Sequence, residues 1–158
     1  MNLKHAIVNF LLAYIVVTVL CYGSTIIVGI LLGLPFGEEL GVGALEDPAF
    51  LLTVPYHIII NALTWMGFGY LYLKKTGSHE TSLLGAFSIG ALWLAIALVI
   101  DVFAFVLIKS PYSMTAREFY IDYQPWITLT YLTVIGGPVA AYPFSKLAAA
   151  LCRRERPY

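Results

Sequence analysis

The chain has 158 residues, of which 60% are hydrophobic and 11% charged, with a mean hydropathy of +0.85. A soluble domain carries roughly twice that share of charge, so the composition excludes a water-facing globular surface. Basic and acidic side chains cancel to a net charge of zero, which leaves no bulk basic field for nucleic acid; the expected partner is the lipid bilayer.

The apolar residues fall in four long blocks. The first runs from Ala6 to about Leu34 and is longer than the apolar region of a cleaved signal sequence, roughly 7–15 residues. It reads as a retained membrane helix. The second runs from about Phe50 to Leu73 behind Asp47-Pro48, a capping residue followed by proline at the first helical position. Pro55 is expected to bend its first turns. The third runs from about Leu83 to Ile108 behind Thr81-Ser82, either of which can cap it, and the fourth from about Trp126 to Lys146, with Leu147 to Leu151 able to continue it. Each is long enough to cross about 30 Å of hydrocarbon at about 1.5 Å per residue.

Two of the connections differ in character. Pro35 to Glu46 is glycine-rich and acidic and reads as a loop. Between Pro111 and Tyr123, Ala116, Phe119, Tyr120 and Tyr123 recur at helical spacing while Arg117, Glu118 and Asp122 take other faces, which predicts a short helix in the membrane interface over about 111–123. The fold class is therefore an all-α integral membrane protein: one domain over 1–158, with four antiparallel transmembrane helices (about 6–34, 50–73, 83–108 and 126–146) and an interfacial helix between the third and fourth.

Four spans put both ends of the chain on one side. Lys4, Lys74, Lys75, Lys146, Arg153, Arg154 and Arg156 fall at the termini and the second connection, against Lys109 and Arg117 in the other two. The positive-inside bias places both termini in the cytoplasm and the chain in the cell membrane as a multi-pass protein.

The informative side chains are the polar ones within the spans, because a carboxylate at the centre of a membrane helix costs about 2.5–3.5 kcal/mol. Asp101 is the acid in question. Gly90, Ala97 and Ala104 share its face, a small-residue stripe that lets another helix approach and turns the carboxylate into the bundle. His57 and Asn61 are four apart on the second helix, with Thr64 continuing their face. His57 and Asp101 reach similar depths on helices joined by a short turn. They are expected to be antiparallel neighbours able to form a carboxylate–imidazole pair.

Thr25, with Tyr14, Thr18 and Tyr22 on the same face of the first helix, and Thr130 or Tyr131 on the fourth project to the same outer half of the membrane. Together Asp101, His57, Asn61, Thr25, Thr130 and Tyr131 outline a polar pocket open to the outside, with Thr53 and Tyr56 at its mouth. Gly136-Gly137-Pro138 in the fourth span frees a backbone carbonyl and permits a kink, so it is the candidate hinge.

Phosphate-binding glycine loops, zinc-binding histidine pairs, GxSxG elbows and paired cysteines do not occur in the sequence. No catalytic set, metal site or cofactor is expected. His79-Glu80 reads as a solvated turn, and Cys21 and Cys152 lie at different levels, too far apart for a disulfide. Three functional readings remain. The first is a small protein that binds or transports a cation, proton or small polar solute, with a homodimer as its conduit if it transports. The second is a non-catalytic subunit of a larger membrane complex. The third, and weakest, is an intramembrane enzyme with His57 as base and Asp101 as its orienting group.

Overall fold

The computed structural model describes residues 2–40, 42–76, 82–108 and 113–154, apart from the side chains at 38, 44 and 152–154. Thr81, the His79-Glu80 turn, Lys109, Arg156, the first two residues of the expected interfacial helix and the side chains of Cys152, Arg153 and Arg154 lie outside what is described. Four long helices are apolar enough to cross a membrane. They are α1 (Leu3–Leu32), α3 (Pro48–Thr76), α4 (Leu83–Asp101, continuing as π-helical turns over Val102–Leu107) and α5 (Trp126–Arg154). A four-residue helix α2 (Gly37–Leu40) and a 3₁₀ turn over Ala44–Glu46 interrupt the connection expected to be a loop.

Local chemistry sets the ends of these helices. The Asn2 side chain accepts the His5 amide, and Gly33, at φ +61°, closes α1 in the left-handed conformation, with the Leu34 amide reaching back to the Gly29 carbonyl. Asp47 caps α3 as expected, one carboxylate oxygen accepting the Ala49 and Phe50 amides at 2.8 and 3.0 Å. Its other oxygen accepts the Gly37 amide at 2.8 Å, so the buried carboxylate also pins α2 to the head of α3. Ser82 caps α4 through the Gly85 amide.

The helices form a ring in the order α1, α3, α5, α4, with α1 touching α4 more lightly than the other neighbouring pairs touch. This corrects the expectation that the second and third spans pack side by side: α3 and α4 lie on a diagonal, and each packs chiefly on α5. Glycines make those contacts possible. A Cβ on Gly137 would stand 2.7 Å from the Trp65 backbone, one on Gly69 would stand 2.8 Å from Pro138 Cα, and one on Gly90 would overlap the Ile135 carbonyl. Gly137 and Pro138 thus lie in a close contact with α3, Gly136 faces open space, and α5 runs as one helix through Pro138 and Pro143. Likewise α3 continues through Pro55.

The half of the bundle nearer the termini, here the terminal end, is filled by aromatic rings. Phe10, Trp65 and Trp93 stand 5.4–6.4 Å apart between centroids, and Tyr72 meets Trp93 edge-on. The Trp93 indole donates to the Ala6 carbonyl at 3.0 Å, which satisfies the one polar atom such a ring brings inside. Outward-facing positions are large and apolar, among them Ile15, Val19, Ile27, Ile30, Leu31, Leu63 and Leu132. Such a surface suits hydrocarbon.

At the opposite end, the loop end, the interfacial helix is shorter than expected: helical turns begin at Ala116 and run π-helically over Glu118–Asp122. A reciprocal capping box starts it, with Thr115 Oγ1 accepting the Glu118 amide and Glu118 Oε2 accepting the Thr115 amide. Phe119 is buried and stacks on Phe105, Tyr120 and Tyr123 are half-buried, and Arg117 and Asp122 face out. Ala116, expected to share a face with Phe119, Tyr120 and Tyr123, is exposed. A cis Gln124–Pro125 bond leads into α5.

Candidate functional site

Above Trp65 the bundle is hollow. A cavity of about 600 Å³ reaches from Trp65, Ala97 and Val134 at its floor to Phe36, Glu39, Val42 and Met114 at the loop end. Its α1 wall carries Tyr14, Thr18, Cys21, Tyr22 and Thr25, its α3 wall Phe50, His57 and Asn61, its α4 wall Asp101 and Phe105, and its α5 wall Ile127, Thr130 and Tyr131. Phe119 and Tyr123 lean in from the interfacial helix and the turn after it. Thr18, Tyr22 and Glu39 line the cavity and are also exposed.

All six of the pocket residues expected from sequence, Asp101, His57, Asn61, Thr25, Thr130 and Tyr131, line this one cavity. Their bonding partners differ from expectation. Tyr14 Oη donates to Asp101 Oδ1 at 2.5 Å and Tyr131 Oη donates to Asp101 Oδ2 at 3.0 Å. His57 Nε2 lies 3.1 Å from Ser24 Oγ and 3.3 Å from Thr25 Oγ1. Among the described residues neither a hydrogen bond nor an ion pair joins His57 to Asp101. The physical reason is the ring order: with α3 and α4 on a diagonal, each residue turns to α1, and Asp101 also to α5.

Asn61 ties the α3 wall together. Its amide donates to the His57 carbonyl at 2.9 Å and toward Cys21 Sγ at 3.7 Å, while its carbonyl accepts the Trp65 indole at 3.1 Å. Thr53 is buried against Thr25, with their hydroxyls 2.9 Å apart, and Tyr56 is exposed on the outside of α3; neither lines the cavity mouth. Thr64 is half-buried and lies outside the lining as well. Burial pushes the Tyr123 phenol above its ordinary range, so it borders the cavity as a neutral hydroxyl.

Sequence reasoning missed Tyr14 and Ser24 as partners of the two titratable groups. Tyr14 was visible on the polar face of α1, but its link to Asp101 depends on α1 lying beside α4. Every buried side-chain nitrogen and oxygen among the described residues has a hydrogen-bond partner. Among those residues there is also no group of three or more His, Cys, Asp or Glu placed to hold a metal ion.

Asp101 also marks a change in the helix that bears it. The residue after it begins the π-helical turns Val102–Leu107, which close with the Ile108 amide on the Phe103 carbonyl. Wider turns of this kind are frequent at functional sites. Comparison with protein-family models, with curated proteins and with solved structures gives no match.

Proposed function

We propose that this chain is a small-solute binding protein of the cell membrane, which takes a cation, a proton or a small polar molecule into the cavity and passes it on by transport. The observation that carries the reading is the Asp101 carboxylate, held by Tyr14 and Tyr131 on the wall of a cavity of about 600 Å³ inside a bundle of membrane helices. A buried acid in such a bundle is costly, and the usual return for that cost is a site. The volume falls in the range of small-molecule pockets, about 300–1,000 Å³. Asp101 supplies the charge, and Asn61, Thr130 and the His57–Ser24–Thr25 group supply polar contacts.

The distribution of Lys and Arg supports a cytoplasmic terminal end, which turns the loop end and the cavity outward. The enzyme reading loses its acid–base pair, since His57 and Asp101 have separate partners. The subunit reading gains no observation of its own.

The cavity wall contains a natural reporter in Cys21. In a Cys152→Ser background, a small membrane-impermeant thiol reagent added outside intact cells is expected to modify Cys21, with Glu39→Cys at the loop end as the positive control. Modification of the control but not of Cys21, when Cys21 reacts in the denatured protein, overturns the outward-open pocket. Native mass measurement in mild detergent separates the subunit reading: a stoichiometric second polypeptide supports it, and a monomer or homodimer supports the solute reading.

A further inference from the structure

We infer that the solute is an organic cation with an apolar body, a protonated amine whose ammonium group sits at Asp101 while its rings or chains lie against the cavity's apolar walls. The inference rests on reading the cavity as a solute pocket and narrows what that pocket accepts.

Charge selects the sign. Among the described residues, the lining carries carboxylates at Asp101, Glu39 and Asp47 and no Lys or Arg. Asp47 is committed to the Gly37, Ala49 and Phe50 amides, and Glu39 is exposed at the loop end. Asp101 is therefore the charge at depth. Each of its oxygens accepts one phenol hydroxyl, whereas a carboxylate has about four lone-pair sites. Capacity remains for an ammonium donor, and a cation is the partner that offsets a buried anion in a low-dielectric wall.

The rest of the lining selects the body. Val17, Ile26, Ile127, Val134 and Ala97 face the cavity, and a bare inorganic ion would leave these groups against water. An organic molecule covers them and gains about 25 cal/mol per Å² of apolar surface removed from water. Aromatic rings complete the match. Tyr14 and Tyr131 flank the carboxylate through their hydroxyls, and Phe105, one turn on, and Trp65, at the floor, add aromatic surface to the same lining, which suits the apolar body of an organic cation.

The test is a charge series of near-equal shape, dialysed to equilibrium against the full-length protein in lipid nanodiscs with empty discs subtracted. The probes are phenethylammonium, 2-phenylethanol and phenylacetate at neutral pH. Phenethylammonium is expected to bind about tenfold more tightly than 2-phenylethanol, the equivalent of one desolvated cation contact, and phenylacetate to bind no better than to empty discs. Asp101→Asn is expected to abolish the preference, and Glu46→Gln, at an exposed carboxylate outside the lining, to keep it. Equal binding of alcohol and ammonium, tighter binding of phenylacetate, or an undiminished preference in a folded Asp101→Asn protein each overturns the inference.

The series on the unaltered protein decides the matter even if Asp101→Asn does not fold. Absence of binding by all three probes also overturns the inference, and Cys21 labelling then shows what survives. A Cys21 that still reacts from outside leaves the pocket standing with a different solute; a silent Cys21 removes the pocket as well.

Discussion

Tyr14 on α1 donates a hydrogen bond to Asp101 Oδ1 on α4 at 2.5 Å, and Tyr131 on α5 donates to the other oxygen at 3.0 Å. One carboxylate thereby joins three helices at the level of the cavity, including α4 and the α1 helix that touches it lightly. The acid holds the bundle together at the point where the bundle is hollow. Whatever engages Asp101 acts on the positions of α1 and α5 at once.

Replacing the acceptor should therefore cost stability in proportion to what it leaves unpaired. Asp101→Ala strands two phenol hydroxyls in a largely apolar wall, while Asp101→Asn keeps a carbonyl that can accept from one of them. Membrane hydrogen bonds contribute about 0.6–2 kcal/mol each, so Asp101→Ala should lose about 1–4 kcal/mol and Asp101→Asn about half of that. Unfolding of the purified protein in mixed micelles measures both. An Asp101→Ala protein as stable as the parent would show that the two hydrogen bonds contribute nothing net.

The ring order makes a separate prediction. Thr25 on α1 and Thr53 on α3 have hydroxyl oxygens 2.9 Å apart, so the pair Thr25→Cys and Thr53→Cys, in a background with Cys21 and Cys152 replaced by serine, should oxidise to a disulfide. The pair His57→Cys and Asp101→Cys should not, because those side chains belong to diagonal helices with different partners. Mobility on a gel after mild oxidation reads both. Ready cross-linking of 57 to 101 would restore α3 and α4 as neighbours and reject this arrangement.

Much of the architecture was legible because bilayer physics is one-dimensional. Span length, the Asp47 and Ser82 caps, and the inward turn of Asp101 follow from hydropathy and helical periodicity, and the bundle adds little that those rules omit. The partners of Asp101 and His57 were not legible. A short turn between two helices implies adjacency, yet α5 can insert between α3 and α4 wherever small residues let it in. Gly69, Gly90 and Gly137 carried that signal. In the sequence they look like any membrane glycines, and only their register against Pro138, Ile135 and Trp65 shows which helix each one admits. The π-helical turns after Asp101 have no periodic signature at all, since Val102 to Leu107 is uniformly apolar.

That register gives a sharp contrast between glycines. Gly90→Ala places a methyl group onto the Ile135 carbonyl, which is backbone and can yield only by moving α4 away from α5. Overpacking of this kind costs about 1–3 kcal/mol. Gly136→Ala meets nothing within 4 Å and should be neutral or stabilising by up to about 1 kcal/mol through helix propensity. Thermal stability of the two variants should move in opposite directions or differ by that margin. Equal tolerance at both positions would mean that α4 and α5 are not in the contact described.

Asp47 offers the last test, at the loop end. Its carboxylate is 8% exposed and accepts three backbone amides, two at the head of α3 and one at Gly37. The first two form a helix cap, whose removal costs about 0.5–2 kcal/mol. The third holds α2 down over the cavity, where Phe36, Gly37 and Glu39 form part of the wall. Asp47→Asn keeps one acceptor oxygen and should retain the cap while weakening the tie to Gly37; Asp47→Ala should lose both. Hydrogen exchange resolves the two effects. Amides of residues 49–50 should lose protection in Asp47→Ala alone, whereas the Gly37 amide should lose protection in both variants. If Gly37 stays protected in Asp47→Ala, α2 is held by its own packing, and the carboxylate serves α3 only.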